Sequence, residues 1–179
     1  MSYSLFLYPH LEHHEFEVGQ LLRLLSDIEL IAETAQTDRY RLGARLMEQI
    51  TFLGCSPALR VGEIECRIIL HHFDQITGLG GDSIETIHFP RCKHPITTAP
   101  ALLSAGPADR WACDQCDNRG EIAEINWRKS AAFSDWFIEI SSIFPKEAIP
   151  SADFIDQLGQ LSRSDWSWFY SKSSFNKSA

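Results

Sequence analysis

The sequence predicts an α+β fold: a mixed or antiparallel sheet that packs with three helices and carries one inserted lobe. Some segments alternate apolar and polar residues, others follow the 3.6-residue helical period, and two short Cys/His clusters flank a proline-bearing stretch. The chain has 179 residues, 44% hydrophobic and 22% charged, which is ordinary globular usage and enough for one full core. We therefore expect a single domain over 1–179, a lobe inserted at 90–127 and a flexible tail at 171–179.

The first part of the chain is predicted to contain one strand and two helices. The strand at Ser4–Tyr8 ends at Pro9. A helix is predicted over Phe16–Asp27 because its apolar residues recur every three or four positions. The same period predicts a second helix over Asp38–Leu53, which Gly54 ends.

A hairpin is predicted next. Apolar and polar residues alternate over Glu63–Phe73, so one face of this strand is expected to be buried. Three glycines within 78–81 predict a turn, and Ile84–Phe89 is predicted as the returning strand. His71 and His72 are expected on opposite faces of the first strand, so the two rings cannot chelate one ion together.

The rest of the chain is predicted to form a loop, three strands and a helix. The stretch 95–112 is predicted as a loop because it holds three prolines and a glycine. A helix is predicted after Pro150 with Ser151 as its N-cap, because a serine hydroxyl can accept from a free N–H group of the first turn. The strands are predicted at Ile122–Trp127, Trp136–Ile143 and Trp166–Tyr170.

Three aromatic residues of the last strand, Trp166, Trp168 and Tyr170, share one face because side chains alternate along a strand. The favoured interpretation is that they cap the core beside Trp136 and Phe137. The alternative is a shelf that binds a ligand or a partner.

Two short clusters of cysteine and histidine carry the chemistry of this sequence. They read Cys-Lys-His at 92–94 and Cys-Asp-Gln-Cys at 113–116. Structural zinc takes four such ligands in a tetrahedron, and two clusters joined by a loop can supply them. His88 is the alternative to the histidine of the first cluster, and a relic site that holds no metal is the alternative to a zinc site. The four candidate ligands are Cys92, His94, Cys113 and Cys116.

Residues 90–127 resemble a zinc ribbon, in which one metal ion holds two knuckles together. The resemblance rests on the Cys-x-x-Cys pair, the turn residues Asp117–Gly120 and the predicted strand that leads away from them. The first knuckle departs from the ribbon pattern, since Cys-x-His followed by Pro95 replaces Cys-x-x-Cys. A full set of Cys/His ligands argues for a closed, structural Zn2+ site, because catalytic zinc keeps an open position. The runs Phe52–Pro57 and Ile143–Pro150, taken with the Cys-x-x-Cys pair, also resemble small uncharacterised bacterial proteins, a resemblance that implies no activity.

Two other metal or thiol chemistries fit these residues less well. A zinc deaminase needs His-x-Glu and later Pro-Cys-x-x-Cys, whereas His94 is followed by Pro-Ile and Ala112 precedes Cys113. A thioredoxin-like redox pair needs a helix whose N-terminus lowers the thiol pKa. The turn residues Asp117–Gly120 do not start such a helix, so a redox pair is disfavoured.

The remaining reactive side chains have simpler interpretations. Cys55 lies in a Gly-Cys-Ser-Pro turn and is interpreted as a small buried thiol. The histidines at 10, 13 and 14 lie close to Pro9 and are interpreted as part of a solvated loop. The sequence contains no Gly-x-Ser-x-Gly and no Gly-rich phosphate loop, which favours a non-enzymatic protein.

Charge and composition limit the partners. The net charge is −8, whereas nucleic-acid binders usually present a basic face. Residues 91–129 hold six basic and five acidic side chains, a net charge of +1, which leaves −9 for the rest. The N-terminus has no basic start, and no apolar run approaches the 18 residues of a membrane span. We therefore expect a cytoplasmic protein that binds no membrane.

The leading hypothesis is a non-enzymatic zinc-containing binding or adaptor protein that contacts another protein. One alternative is a metal- or thiol-dependent enzyme with a site between the lobe and the body. Another is weak nucleic-acid binding through the basic residues of the lobe, which the overall charge disfavours. Those residues are Arg91, Lys93, Arg110, Arg119, Arg128 and Lys129.

Overall fold

A six-stranded antiparallel sheet forms the centre of the protein. The computed structural model describes residues 3–10, 16–36, 38–53, 66–81, 86–143 and 146–172. Every neighbouring pair of strands in this sheet runs antiparallel. In spatial order the strands are Trp166–Lys172 (β10), Tyr3–Pro9 (β1), Ala131–Ile143 (β8), Ile68–Gly80 (β5), Arg39–Leu42 (β3) and Ile31–Gln36 (β2).

Helices and two small sheets complete the described structure and confirm the predicted α+β class. Among the described residues, no helix is long and apolar enough to cross a membrane. The small sheets pair Ile50–Phe52 (β4) with Ala148–Pro150 (β9), and Arg110–Ala112 (β6) with Arg119–Glu121 (β7). The helices are Val18–Asp27 (α1), Leu46–Gln49 (α2), Ala99–Ala105 (α3) and Ala152–Ser162 (α4).

The main core lies between one face of the large sheet and the helices α1 and α4. Strand β1 contributes alternate residues to it, as period 2 requires. Helix α4 begins as predicted, because the Ser151 hydroxyl accepts a hydrogen bond of 3.1 Å from the Phe154 N–H. The fully buried residues of this core include Leu5, Leu7, Leu21, Leu25, Ile138, Ile140, Phe154 and Leu158.

The opposite face of the sheet is aromatic and contains a buried carboxylate. Phe6 stacks on Phe169 with ring centroids 5.0 Å apart. On the same face, Glu139 accepts a hydrogen bond of 2.6 Å from the Ser4 hydroxyl, and its second oxygen lies 2.8 Å from His71 Nε2. These contacts supply polar partners to a carboxylate that would be costly to bury alone.

The two adjacent histidines of β5 lie on opposite faces of the sheet, as predicted. His71 contacts the buried carboxylate on the aromatic face. The His72 ring stacks on Trp136, a member of the main core, at 4.2 Å between centroids.

The aromatic residues of β10 belong to the core, which confirms the favoured interpretation. Trp166 is buried beside Trp136, and Trp168 and Tyr170 pack against the same cluster. The Tyr170 hydroxyl donates a hydrogen bond of 2.6 Å to the Ala148 carbonyl. Phe137, which was expected beside them, lies on the other face of the sheet. It directly follows Trp136 in β8, and successive side chains of a strand point to opposite faces.

The predicted helix over Asp38–Leu53 is wrong. Arg39–Leu42 is strand β3, whose side chains alternate between exposed and half-buried, and only Leu46–Gln49 is helical. Gly43 explains the break: a Cβ there would lie 2.0 Å from the Glu29 carbonyl oxygen, so the chain crosses another backbone at this point. Leucines four residues apart fitted a helix, but pairing with neighbouring strands overrode the local preference.

The predicted turn at 78–81 is also wrong in its position. Gly78 and Gly80 lie inside β5, and this strand pairs with β8. Of the predicted returning strand, residues 86–89 are described, and among them His88 bridges to Pro95 and not to β5. A Cβ at Gly78 would lie 2.4 Å from the Leu103 carbonyl oxygen, and one at Gly80 would lie 2.3 Å from that of Ser130. These glycines therefore permit close approach of another backbone and do not form a hairpin tip.

Two more local predictions are corrected by the structure. The stretch predicted as a loop contains α3, which has a proline at its second position, where a missing N–H costs no helical hydrogen bond. The strand predicted over Ile122–Trp127 begins instead as a single 3-10 turn over Ile122–Glu124. Other predictions fall wholly or partly outside the described residues: Gly54, Cys55, His13, His14, the segments 63–65 and 84–85, and the tail from 173 onward. The first two residues of the predicted tail, 171 and 172, belong instead to β10.

We predict that Ser151→Ala lowers the free energy of unfolding by about 1 kcal/mol, because the first turn of α4 loses a hydrogen-bond acceptor. The melting temperature should fall by about 2–4 °C, measured by circular dichroism. Ser151→Asp should restore stability, since aspartate is an equally good N-cap. Ser26→Ala on the exposed surface of α1 is the matched control and should stay within about 0.5 kcal/mol. Equal effects of both alanine variants would contradict the capping role.

Candidate metal centre

The two Cys/His clusters lie in a segment that leaves the large sheet at β5 and returns at β8. Because Gly80 pairs directly with Ala131, the two ends of this segment lie side by side. We call residues 86–130 the knuckle lobe. The knuckle lobe is thus attached to the sheet through two adjacent strand ends.

The first knuckle is a tight turn that carries Cys92 and His94. The Phe89 N–H donates to the His94 carbonyl at 3.0 Å, and the Lys93 N–H donates to the Phe89 carbonyl at 3.1 Å. Lys93 has a left-handed backbone with φ of 61°, and its Nζ donates to the Pro90 carbonyl at 2.7 Å. The turn therefore holds the two ligand residues in place through its own hydrogen bonds.

The second knuckle is the tip of the β6–β7 hairpin and carries Cys113 and Cys116. The Cys113 N–H donates to the Asn118 carbonyl at 3.0 Å and closes the tip. The Gln115 N–H points at Cys113 Sγ at 3.4 Å, and Asn118 Nδ2 points at Cys116 Sγ at 3.3 Å. Both sulfur atoms thus face N–H donors, which stabilise a thiolate, although at Cys113 burial outweighs this effect and raises the thiol pKa.

The two knuckles bring all four predicted ligands together. One ligand atom from each side chain lies within 4.8 Å of the other three. His94 Nδ1 lies 3.3 Å from Cys113 Sγ, which matches the edge of about 3.3–3.8 Å that a tetrahedral ion with N and S ligands requires. The arrangement is therefore compatible with a metal site. The members are Cys92, His94, Cys113 and Cys116.

His88, the alternative ligand, does not belong to this group among the described residues. Its backbone forms an isolated bridge with Pro95. It lies between Ile87 and Phe89, which are both buried in the lobe. In an extended segment, neighbours on either side of a residue point to the opposite face, so the side chain of His88 is turned away from the apolar cluster.

The two cysteines of the second knuckle differ in acidity. Hydrogen bonds from the backbone and then from the side-chain amide of Asn118 lower the pKa of the Cys116 thiol to about 6. Burial raises the pKa of the Cys113 thiol, although the Gln115 amide opposes this shift. Outside the lobe, burial raises the pKa of the Cys66 thiol to about 12, so Cys66 is an unreactive residue of the core.

An apolar cluster lies beneath the knuckles, and its extent was not expected from the sequence. Trp111 is 1% exposed and stacks on Phe89 with ring centroids 4.8 Å apart. Cys113 is itself buried in this cluster, and Cys92 and Cys116 pack against it. Apolar burial is therefore a source of stability for the lobe that the sequence analysis did not predict.

Sequence reasoning also missed the N–H donors that face the sulfur atoms. Gln115 and Asn118 each stand two residues after a cysteine. This spacing could have predicted the donors. In a tight turn, an amide group two residues after a side chain can donate a hydrogen bond to that side chain.

Comparisons of this chain with protein-family models, with curated proteins and with solved structures find no match. The fold and the site define an α+β protein with a four-residue Cys/His cluster in a lobe between two paired strands.

We predict that metal-free protein alkylates fastest at Cys116, with a rate that reaches half its maximum near pH 6, because the thiolate predominates above its pKa. Cys66 should stay unmodified while the protein is folded. Pulsed iodoacetamide labelling in excess chelator, read by peptide mass spectrometry, measures both. Asn118→Ala should move the Cys116 midpoint upward, since one of the two amide donors is lost. A wild-type midpoint near the ordinary thiol value of about 8.5 would contradict the assignment.

Proposed function

We propose that this protein is a non-enzymatic binding protein whose knuckle lobe is held by one structural zinc ion. The observation that carries the proposal is the convergence of four Cys and His ligand atoms within 4.8 Å. Three cysteines and one histidine form one of the usual ligand sets of structural zinc. Soft thiolate ligands disfavour magnesium and calcium, which select oxygen.

The completeness of the ligand set supports a structural role over a catalytic one. Catalytic zinc keeps a coordination position for water or substrate, with three protein ligands. Four converging side chains would leave no position of a tetrahedron for water or substrate, and Cys113 is buried against apolar residues. With zinc bound, the amides that face Cys113 and Cys116 would orient the two sulfur atoms and tune their basicity.

A zinc ion at this position would tie together two turns that the chain separates by eighteen residues. The first knuckle precedes α3, and the second follows it. An ion bound to both knuckles would hold Phe89 against Trp111 and so order the surface of the lobe. An ordered surface displayed on a rigid sheet suits binding to another protein in a reducing compartment, where thiols persist as ligands.

We predict about one zinc per chain in protein purified without chelator, measured by inductively coupled plasma mass spectrometry. His94→Ala and Cys116→Ser should each lower the zinc content severalfold, because each removes a ligand. The matched controls are His88→Ala and Cys66→Ser, which remove the same residue types outside the cluster and should retain full zinc. Clearly substoichiometric metal in the wild type would overturn the proposal, and loss of zinc in His88→Ala alone would reassign the ligand.

We also predict that Cys113→Ser loosens the two knuckles while the large sheet survives. Amide hydrogen exchange should speed up over 89–96 and 111–121, because these turns lose the ion that joins them. Protection in β1 and β8 should remain, since their core does not include the ligands. Cys66→Ser serves as the control for a cysteine substitution. Unchanged exchange over 111–121 in a zinc-free variant would contradict the structural role of the metal.

A further inference from the structure

Three of the four candidate ligands are cysteines, and their sulfur atoms are close enough to react with one another. Any two of the three sulfur atoms lie within 4.8 Å, whereas the two sulfur atoms of a disulfide are about 2.05 Å apart. A gap of this size is within the reach of side-chain rotation. The cluster of Cys92, Cys113 and Cys116 therefore has the thiols for a disulfide as well as for a metal ion.

The three thiols differ in their access to solvent. Cys92 and Cys116 are half-buried, whereas Cys113 is 8% exposed and belongs to the apolar cluster of the lobe. Oxidation of a cysteine depends on its thiolate character and on its exposure, and a cysteine that binds zinc does so as a thiolate. A small oxidant that approaches from solvent therefore meets Cys92 or Cys116 before Cys113.

The two cysteines of the second knuckle stay together without any ion. The Cys113 N–H donates to the Asn118 carbonyl at 3.0 Å and closes the hairpin tip, and β6 pairs with β7 directly below it. Cys92 lies on the first knuckle, which is a separate turn. Cys113 is thus the thiol that remains beside Cys116 if the two knuckles loosen, and a thiol in this position can resolve an oxidised neighbour.

We propose that the second knuckle is a reversible oxidation site for small hydroperoxides, at which Cys116 reacts first and Cys113 then closes a disulfide with it. The proposal rests on the zinc-binding function proposed above and adds the regulation of that same site. Formation of the disulfide removes two of the four ligands and leaves Cys92 and His94. Structural zinc takes four ligands, so oxidation releases the ion.

The reaction takes place in two steps. The Cys116 thiolate attacks the terminal oxygen of the hydroperoxide, the O–O bond breaks, and a sulfenic acid forms while the departing alkoxide takes a proton from water. The Cys113 thiolate then attacks the Cys116 sulfur, the S–S bond forms, and the S–O bond breaks to release hydroxide, which takes a proton to become water. Two electrons pass from the two sulfur atoms to the peroxide, which is reduced to an alcohol, or to water where the oxidant is hydrogen peroxide.

A small oxidant fits this site better than a disulfide of another protein. Protein disulfide exchange uses a cysteine that a helix N-terminus activates. Here Cys116 is followed by the turn that leads into strand β7, which begins at Arg119. The pair is therefore placed to be oxidised by a small molecule and not to act as a disulfide reductase.

Apolar burial at the base of the lobe makes the oxidation reversible. Trp111 is 1% exposed and stacks on Phe89 with ring centroids 4.8 Å apart, and neither residue is a ligand. This packing remains when the ion leaves, so the two knuckles stay close enough to bind zinc again after reduction.

The first test adds hydrogen peroxide to zinc-loaded protein and measures released zinc with the colorimetric chelator 4-(2-pyridylazo)resorcinol. All bound zinc should be released, and the tryptic peptide 111–119, which contains both cysteines, should lose the mass of two hydrogen atoms. Buried Cys66 should remain a free thiol. Dithiothreitol and added zinc should then restore the original zinc content. Zinc that is retained in excess peroxide, a disulfide that contains Cys92, or zinc binding that reduction does not restore would overturn the proposal.

Variants in excess chelator identify the resolving cysteine without any requirement for zinc. Cys92→Ser should still form the disulfide when hydrogen peroxide is added. The double variant Cys92→Ser/Cys113→Ser should instead accumulate sulfenic acid at Cys116, because no thiol of the cluster is left to resolve it. Dimedone traps sulfenic acids, and peptide mass spectrometry locates the adduct. Absence of an adduct at Cys116 in the double variant would contradict its role as the first thiol to react.

A substitution next to Cys116 tests its role while all four ligands remain. Asn118 Nδ2 lies 3.3 Å from Cys116 Sγ, and a donor at this place makes a thiolate less nucleophilic. Asn118→Ala should therefore speed peroxide-dependent zinc release about two- to fivefold, after subtraction of the loss without peroxide. Gln115→Ala is the matched control, since it removes an exposed side-chain amide from the same turn but keeps the backbone N–H that faces Cys113. Equal rates in the two variants would refute the attack at Cys116.

Failure of this proposal is distinguishable from failure of the zinc proposal. A chain that holds zinc and keeps it in excess peroxide refutes the oxidation site alone. A chain that is purified without zinc but forms the Cys113–Cys116 disulfide reversibly refutes the structural zinc alone.

Discussion

The antiparallel pairing of β5 with β8 determines where everything else in this protein can lie. Each strand has thirteen residues, and the pair closes at Gly80 and Ala131, so the segment between them begins and ends at one place. A segment whose ends are held together has fewer conformations to lose when its turns meet. Gly78 and Gly80 make the arrangement possible, because any side chain there would collide with the Leu103 or Ser130 backbone.

The knuckle lobe has its own apolar core. Apolar burial centred on Trp111 and Phe89 fills its base. The four Cys and His side chains lie on the two turns above this core, in an arrangement compatible with a metal site. At the end of the lobe, the Tyr170 N–H of β10 donates to the Lys129 carbonyl. The lobe is therefore tied to the sheet at this turn.

The sequence predicted the residues of the candidate site more accurately than the helices and strands that carry them. Cysteine and histidine are rare residue types with specific chemistry, so two short clusters point to one site whatever the intervening fold. By contrast, the helical period over Asp38–Leu53 was right about the burial of Leu46 and Ile50, wrong about Leu53, which is exposed, and wrong in assigning the whole segment to one helix. Apolar residues spaced four apart fit a helix, but they also fit a strand followed by a turn and a second strand. The pairing of β3 with β2 and β5 stabilises the second arrangement.

Residue types and short spacings predicted the members of the Cys/His cluster, the N-cap at Ser151, the placement of His71 and His72 on opposite faces, and the α+β class. Each of these depends on residue type and on spacings of a few positions, which act locally. Two features became apparent only in the folded chain: β5 pairs with β8, and a helix stands between the two knuckles. Those features join residues far apart in the chain, where the contact is set by how whole elements pack and no local spacing encodes it.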